Sequence, residues 1–449
     1  MKVAKFGGTS LADANQFKKV ADIIKADEER KFIVVSAPGK RHEHDFKITD
    51  LLIRLGEAYV KEEKYKSYYI TIVDRFFQII NDLELDESLM NEIEDRIKQV
   101  MELDLEFNEK LDHFKAIGED SSAKILSQYL QKLGLEASYV NPKDAGILLE
   151  DTPTGAKLSD KSYDRIYQLR DRGGILVIPG FFGYTEDGKL LTFSRGGSDI
   201  TGAIVAAGVK ASLYENFTDV DSVYTVNPKI VENPKPIELL TYREMRELSY
   251  AGFSVFHDEA LIPAFKANIP VEIKNTNNPL KKGTLIVSNK KPNDNCVVGI
   301  ASDTGFSSIY VSKFLMNREL GFGRKLLQIF EEEGVSFEHV PSGIDEMTVI
   351  VRDSQLGDKE ERIVERIKNE LHPDTVAVHH NLALIMVVGE GMKETIGMAQ
   401  RATTALGEAK VNIEMINQGS SEVSMMFGIK ANDLHRAIKS LYREFFEQE

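Results

Sequence analysis

Two stretches of the chain set a charged side chain beside paired glycines. Lys5-Phe6-Gly7-Gly8-Thr9-Ser10 follows the apolar Val3-Ala4 and precedes a helix-like run from Asp13. Arg195-Gly196-Gly197-Ser198-Asp199 follows Leu190–Phe193 and precedes the small-residue run Ile200–Gly208. Adjacent glycines reach positive φ without Cβ strain and let N–H groups crowd toward one spot, which makes an anion nest. A helix starting just beyond adds its unsatisfied N–H groups and the positive end of its dipole. Alone, the first stretch reads as a plain strand-turn-helix connection, because Gly and Ser serve any short turn. As a pair leading into helices, the two suit a phosphate chain. The chain contains neither G-x-x-x-x-G-K-[ST] nor G-x-G-x-x-G, so neither a P-loop nor a dinucleotide fold is indicated.

The bulk numbers narrow the partners. At 449 residues the chain exceeds one core, and two or three domains are expected. A hydrophobic fraction of 42% and a charged fraction of 28% fit a globular protein. A net charge of -15 argues against nucleic acid, which needs a basic footprint, but allows a small anion in a locally positive pocket. Cys296 is the single cysteine, so no internal disulfide forms. The start MKVAKFGG has no apolar leader pattern, and no run approaches the ~18–20 apolar residues of a membrane span. A cytoplasmic protein without a nucleic-acid or membrane partner is expected.

Lys2–Phe6 and Phe32–Ser36 read as buried strands, and Phe17, Val20, Ile23 and Ile24 between them have helical spacing. This predicts a right-handed parallel βαβ unit. From about 59 to 115 the chain is charged and periodic, a helical insertion. Gly118–Ser122 predicts a helix start. Glu136–Val140, Gly174–Phe181, Ser212–Phe217, Val271–Asn275 and Thr284–Ser288 read as strands. Arg41–Asp45 holds two histidines and two acids but no regular ligand spacing, and reads as a solvated loop. Residues 1–295 thus form an α/β domain, an open, mainly parallel sheet with helices on both faces, with Lys290–Asn295 as the linker. Beyond it lies a repeat: Val335–Gly343 matches Val411–Gly419, with Glu338/Glu414 and Glu346/Glu422 in corresponding places. Each copy reads as a ferredoxin-like βαββαβ module. The second copy lacks its closing strand, and Cys296–Ala301 is an orphan strand. The first module, about 307–380, is therefore expected within a second made of about 296–302 plus 382–449.

KFGGTS, G-E-x-x-S at Gly118–Ser122, RGGSD at Arg195–Asp199, TDVD-x-VYT at Thr218–Thr225, KNT at Lys274–Thr276 and the tandem repeat together resemble the aspartokinase branch of the amino acid kinase family, with two ACT-type regulatory modules. The resemblance covers nearly the whole chain. It implies transfer of the ATP γ-phosphoryl group to the β-carboxylate of L-aspartate, the first step toward lysine, threonine and methionine. A carboxylate acceptor is already ionised at neutral pH and needs no general base. Catalysis then rests on positioning and charge stabilisation.

By resemblance, Lys5 and Asp199 are catalytic, with Asp199 orienting Lys5 or the polar groups around the phosphates. Lys5, Gly7, Gly8, Gly197, Thr218, Asp219, Tyr224, Lys229, Lys274 and Asn275 would hold ATP. Ser36, Thr49, Glu119 and Arg195 would hold aspartate, and Mg²⁺ would enter bridged by ATP. Met316, Glu319, Phe322, Gly323, Phe337, Glu338 and Glu346 match an effector pocket, and the carboxylates Glu338 and Glu346 suit a cation such as lysine. Side-by-side ACT modules imply a homodimer or larger assembly. Some positions depart from the pattern: Ser194 and Asp120 replace a Gly and an apolar residue, Lys229 replaces the Arg of D-P-R, and His257-Asp258 replaces His-Pro. Two alternatives are another acyl-phosphate-forming amino-acid kinase and a non-catalytic amino-acid sensor. G-E-x-x-S and the twin repeat argue against the first; Lys5, Arg195 and Asp199 argue against the second.

Overall fold

The computed structural model describes residues 1–153, 155–194, 196–253, 259–291, 296–419 and 423–447, the side chain of Glu394 aside. Arg195, His257, Asp258, Glu422 and most of the expected linker lie outside the described residues. The chain divides into two compact units. The first is Met1–Val223 with Pro236–Met245 and Val255–Lys290; the second is Tyr224–Lys235 with Arg246–Ser254 and Lys291–Glu449.

The first unit is built around β1 (Lys2–Phe6), whose Val3, Ala4 and Phe6 are fully buried. A strand apolar on both faces belongs inside a parallel sheet covered on both sides. The later strands are β2 (Arg30–Val35), β3 (Ala137–Tyr139), β4 (Leu149–Thr152), β5 (Gly155–Leu158), β6 (Ile175–Pro179), β7 (Phe182–Tyr184), β8 (Leu190–Thr192), β9 (Leu213–Thr218), β10 (Leu239–Thr241), β11 (Val271–Asn275) and β12 (Thr284–Val287). Eight form one sheet in the order β10-β12-β11-β9-β1-β2-β6-β3, parallel except where β11 meets β12. Strands β4–β5 and β7–β8 are hairpins, the first of which the sequence pattern did not reveal. In register, Lys5 lies between Val34 of β2 and Asn216 of β9.

Helix α1 (Ala14–Lys25) begins at Asp13, whose carboxylate accepts the Gln16 N–H at 3.0 Å. The insertion consists of α2 (Ile48–Val60), α3 (Lys66–Asp82), α4 (Ser88–Glu102) and α5 (Phe107–Lys132). The expected helix start at Gly118 is corrected: Gly118–Ser122 sits in the middle of α5. The glycine there serves close packing, since a Cβ on it would lie 2.5 Å from the Ala37 Cβ.

The second unit is one antiparallel sheet of β13 (Gly299–Ser312), β14 (Phe337–His339), β15 (Glu346–Arg352), β16 (Thr375–Val388), β17 (Met415–Asn417) and β18 (Ser424–Lys430), in the order β14-β15-β13-β16-β18-β17. Two long strands serve both repeats. Phe306–Ser312 of β13 pairs with β15, while Gly299–Thr304 pairs with Ala383–Val388 of β16. The orphan strand expected at Cys296–Ala301 thus starts at Gly299 and runs on without a break to Ser312, and Thr375–Val388 likewise spans the expected junction of the two modules.

Arg30 on β2 and Glu215 on β9 flank β1 and form a buried bidentate pair at 2.6 and 2.8 Å. Removing one partner strands the other charge in the interior, which costs about 3–5 kcal/mol, whereas replacing both with apolar groups costs far less. Glu215→Ala is expected to lower the unfolding free energy by about that amount in urea titrations, and Arg30→Met with Glu215→Leu to recover most of it. A single-variant loss under about 1 kcal/mol would contradict this reading.

Candidate active site

A cavity of about 490 Å³ opens at the carboxyl ends of β1, β2 and β9, the edge where open α/β sheets bind ligands. Lys5 lies in its wall and is only 6% exposed. Its Nζ is 2.6 Å from Asp199 Oδ1, in the first turn of the helix Gly197–Gly208. The same oxygen accepts the Asn216 amide at 2.7 Å. Asn216 is buried on β9 and also lines the cavity. The strand register thus brings Lys5 and Asn216 side by side, and the helix start brings Asp199 to both.

The two glycine turns work differently. Gly196 and Gly197 have φ of 68° and 35°, a left-handed turn that glycine adopts without strain. Asp199 and Ile200 donate their N–H groups to the Gly196 carbonyl at 2.8 and 3.2 Å, which leaves those of Gly197 and Ser198 without an acceptor in the helix. Gly7 is extended, with φ −71° and ψ 169°, and glycine serves here for close approach: a Cβ on Gly8 would lie 3.0 Å from the Ala37 carbonyl oxygen. The expected role of Gly7 as a phosphate donor is corrected, because its N–H is donated to the Phe217 carbonyl at 3.0 Å. Gly8 opens the short 3-10 turn Gly8–Leu11.

The loop after β2 forms another wall, contributing Ser36, Gly39, Lys40 and Lys47, and Thr49 of α2 adjoins it. Gly39 donates its N–H to the Gly8 carbonyl at 2.8 Å. Arg75 of α3 donates to the Gly39 carbonyl at 3.1 Å and to Asp45 at 2.7 and 2.8 Å. Arg41 Nε reaches Asp45 at 2.9 Å. Against the opposing effect of burial, the hydrogen bonds from Arg41 and the charge of Arg75 hold Asp45 well below the usual carboxylate range. The loop carrying His42 and His44 is thus organised by arginines, and the helical insertion braces the wall of the cavity.

Glu119 reaches the cavity from mid-α5, 5% exposed, with no hydrogen-bond partner for Oε2. Burial pushes its carboxyl up to about 8, opposed by the Ala37 N–H. A buried carboxyl with an open oxygen is poised for a cation. Thr218 and Asp219 line the opposite side. Asn275 of β11 pairs in register with Thr218 and donates to Asp221 at 2.6 Å, while Lys274 sits 3.9 Å from Glu272. The Ser10 and Thr276 hydroxyls meet at 2.7 Å, tying the first motif to KNT. Tyr224 and Lys229 belong to the second unit, where the Lys229 N–H is donated to Asn227 at 3.0 Å. Asn216, Lys40, Lys47 and Arg75 were not singled out by the sequence reading. Only Asn216 carries a signal there, as a polar residue beside Glu215 in an otherwise apolar strand.

The expected effector residues are dispersed. The Met316 and Phe322 side chains are packed in a module core. Glu319 pairs with Lys313 at 2.7 Å and Lys325 at 3.5 Å; Gly323 packs against Met347; Phe337 is exposed. Glu338 accepts from Arg352 at 2.9 Å and from the Tyr250 hydroxyl, so the pairing of Glu338 with Glu346 in one pocket is also corrected. Glu346 accepts from Tyr310 at 2.9 Å and lines a cavity of about 400 Å³ with Glu414 instead.

The amino acid kinase family model matches residues 1–275, and an ACT domain model matches 385–445. The chain is 56% identical over 448 residues to aspartokinase 3 of Bacillus subtilis (strain 168), covering 99% of each. It is similar to the crystal structure of Clostridium acetobutylicum aspartate kinase, described as an allosteric enzyme, at 40% identity and a TM-score of 0.88 over 99% of this chain and 100% of that one. The fold is also that of E. coli aspartokinase III in complex with aspartate and ADP, at 24% identity and a TM-score of 0.81, over 99% of this chain and 100% of that one.

The buried Glu119 predicts a pH signature. Its folded pKa of about 8 exceeds the ordinary 4.5, so between those values the folded protein holds a proton that the unfolded chain has released. Stability then falls as pH rises through that window. Glu119→Gln removes the titration, so the variant should gain stability relative to wild type as pH rises from about 4.5 to 8. A stability difference that stays flat across the window, measured by urea unfolding at each pH, would show that Glu119 is ionised in the free protein.

Proposed function

Because the chain belongs to the amino acid kinase family, and within it to the aspartokinases, we propose the following division of labour for ATP-dependent phosphorylation of the L-aspartate β-carboxylate. Two anions must be brought together while charge shifts across the γ-phosphoryl group, and fixed positive charge at that point is the main catalytic requirement. Lys5 supplies it, and Asp199 with Asn216 fixes where its ammonium stands. The helix starts at Gly8 and Gly197 cradle the phosphates. Thr218 and Asp219, with Lys274 and Asn275 beside them, hold the rest of the nucleotide. Asp199 is engaged by Lys5 and Asn216, so Mg²⁺ would be held through ATP, not by this carboxylate, and would supply charge neutralisation.

Glu119 receives the aspartate ammonium and is ionised by it, while Ser36, Thr49 and Arg195 fix the carboxylates. Phosphoryl transfer to the side-chain carboxylate of glutamate or acetylglutamate is the rival reading, and an amino-acid acceptor screen separates the two. The observation that carries the proposal is the Lys5–Asp199 pair in the cavity that also holds the unpartnered Glu119. Lys5→Ala is expected to lower kcat at least about a hundredfold in a coupled ADP-release assay with the fold intact. Turnover within about tenfold of wild type, ~1.4 kcal/mol of barrier, would remove Lys5 from the transition state.

The second unit is read as the regulatory half, working as a homodimer or larger assembly through its ACT modules, with lysine as the effector. Glu346 and Glu414 support this, since two carboxylates in one cavity suit a ligand with two ammonium groups. A cytoplasmic location is proposed as well; among the described residues no helix is long and apolar enough to cross a membrane. Lysine should inhibit the wild-type enzyme, and Glu346→Ala with Glu414→Ala should raise the half-inhibiting concentration at least about tenfold. Undiminished inhibition in that double variant would place the effector elsewhere.

A further inference from the structure

The first unit holds a second cavity, also about 490 Å³, between α4, α5 and the strands β3, β7 and β8. None of its side chains takes part in the chemistry above. Its floor is apolar, made by Ala116, Ile117, Phe182 and Leu190. One wall is satisfied internally. Lys124 meets Asp120 at 2.9 Å and Glu92 at 2.5 Å, the Tyr139 hydroxyl donates to Asp120, and the Asn141 amide donates to Tyr139 at 3.1 Å.

The other wall is not. The half-buried Arg96 guanidinium meets His113 Nδ1 at 3.3 Å, and among the described residues no carboxylate forms an ion pair with it. A guanidinium only donates, so Nδ1 accepts and the His113 proton sits on Nε2. Burial and the neighbouring Arg96 charge lower the His113 pKa, keeping the ring neutral near pH 7. Arg96, the His113 Nε2–H and the Tyr184 hydroxyl form a donor set for a carboxylate above an apolar floor. Lys124 answers Asp120 and Glu92, and Asp95, the neighbour of Arg96, also lines the cavity, 3.7 Å from Lys98 outside it. Three carboxylates against two cations do not suit a polyphosphate, which needs a positive excess, but suit a ligand that brings an ammonium together with its carboxylate.

We propose that this cavity is a second ligand site, taking a free α-amino acid with its carboxylate on Arg96 and His113, its ammonium toward Asp95 and its side chain over Phe182 and Leu190. The site is wired to the first cavity through shared elements. Helix α5 carries Glu119 to one cavity and His113, Ile117, Asp120 and Lys124 to the other. Asp112 of α5 accepts from Thr192 of β8 at 2.7 and 3.3 Å, two residues before the stretch that leads into Gly196.

The test is calorimetric titration of the full chain with each protein amino acid singly, in wild type, Arg96→Gln, His113→Phe, Glu119→Gln and Glu346→Ala. Unliganded melting curves confirm that each variant is folded. The expected result is at least one amino acid whose Kd rises about tenfold or more in Arg96→Gln and also weakens in His113→Phe, yet stays unchanged in Glu119→Gln and Glu346→Ala. Should Arg96→Gln fail to fold, His113→Phe decides alone. The proposal is overturned if no amino acid depends on Arg96 or His113, or if every such dependence disappears together with Glu119. The second outcome would place the ligand in the first cavity and leave the kinase reading standing.

Discussion

An ammonium group held inside the protein by one carboxylate and one amide is the constraint on which the first unit depends. Lys5 projects from the central strand of a sheet covered on both faces, so its charge is largely removed from water. Such burial is tolerated only when a partner and further hydrogen bonds are in place. Asp199 and Asn216 provide them, and each needs its own scaffold. Asn216 needs β9 in exact register with β1. Asp199 needs a helix to begin beside Lys5, which requires two consecutive residues with positive φ at Gly196 and Gly197. The Arg30–Glu215 pair fastens β2 to β9 across β1 and so holds the same register from the other end of the strands.

Around that charge the helical insertion acts as a brace. Arg75 reaches from α3 to the Gly39 carbonyl and Asp45 and presses the loop after β2 onto Gly8. Helix α5 runs 26 residues so that its midpoint can lie against Ala37, which is why a glycine occupies position 118. The adjoining Glu119 is thereby buried without a partner, neutral until a cation enters. The cavity thus presents an unpartnered buried carboxyl on one side and, on another, a lysine fixed by Asp199 and Asn216.

Much of this was legible in the sequence. KFGGTS and RGGSD exposed both turns because charge, glycine pair and following helix recur together, and the strand pattern of the first half follows its apolar runs. What was lost follows from physical causes. Gly118-Glu119 resembles a helix start because an acid after glycine is favoured in a first turn, and only the tertiary approach to Ala37 explains a glycine in mid-helix. Gly7 looked like a donor because local sequence cannot show that Phe217, far along the chain, accepts its N–H. Glu338 looked free because its partners, Arg352 and Tyr250, meet it only when the sheet forms. Asn216 was readable as a polar residue in an apolar strand, but its meaning required the register with Lys5.

The central claim is that Lys5 and Asp199 act as one unit on the transferring phosphoryl group. A double-mutant cycle on kcat, using Lys5→Met and Asp199→Asn singly and together, tests it directly. Groups that act as a unit give strongly non-additive losses. The double variant should lose little more than Lys5→Met alone, with a coupling energy of about 2 kcal/mol or more. Losses that simply add would mean that Asp199 does not position Lys5, and the account of the cavity would fail at its foundation.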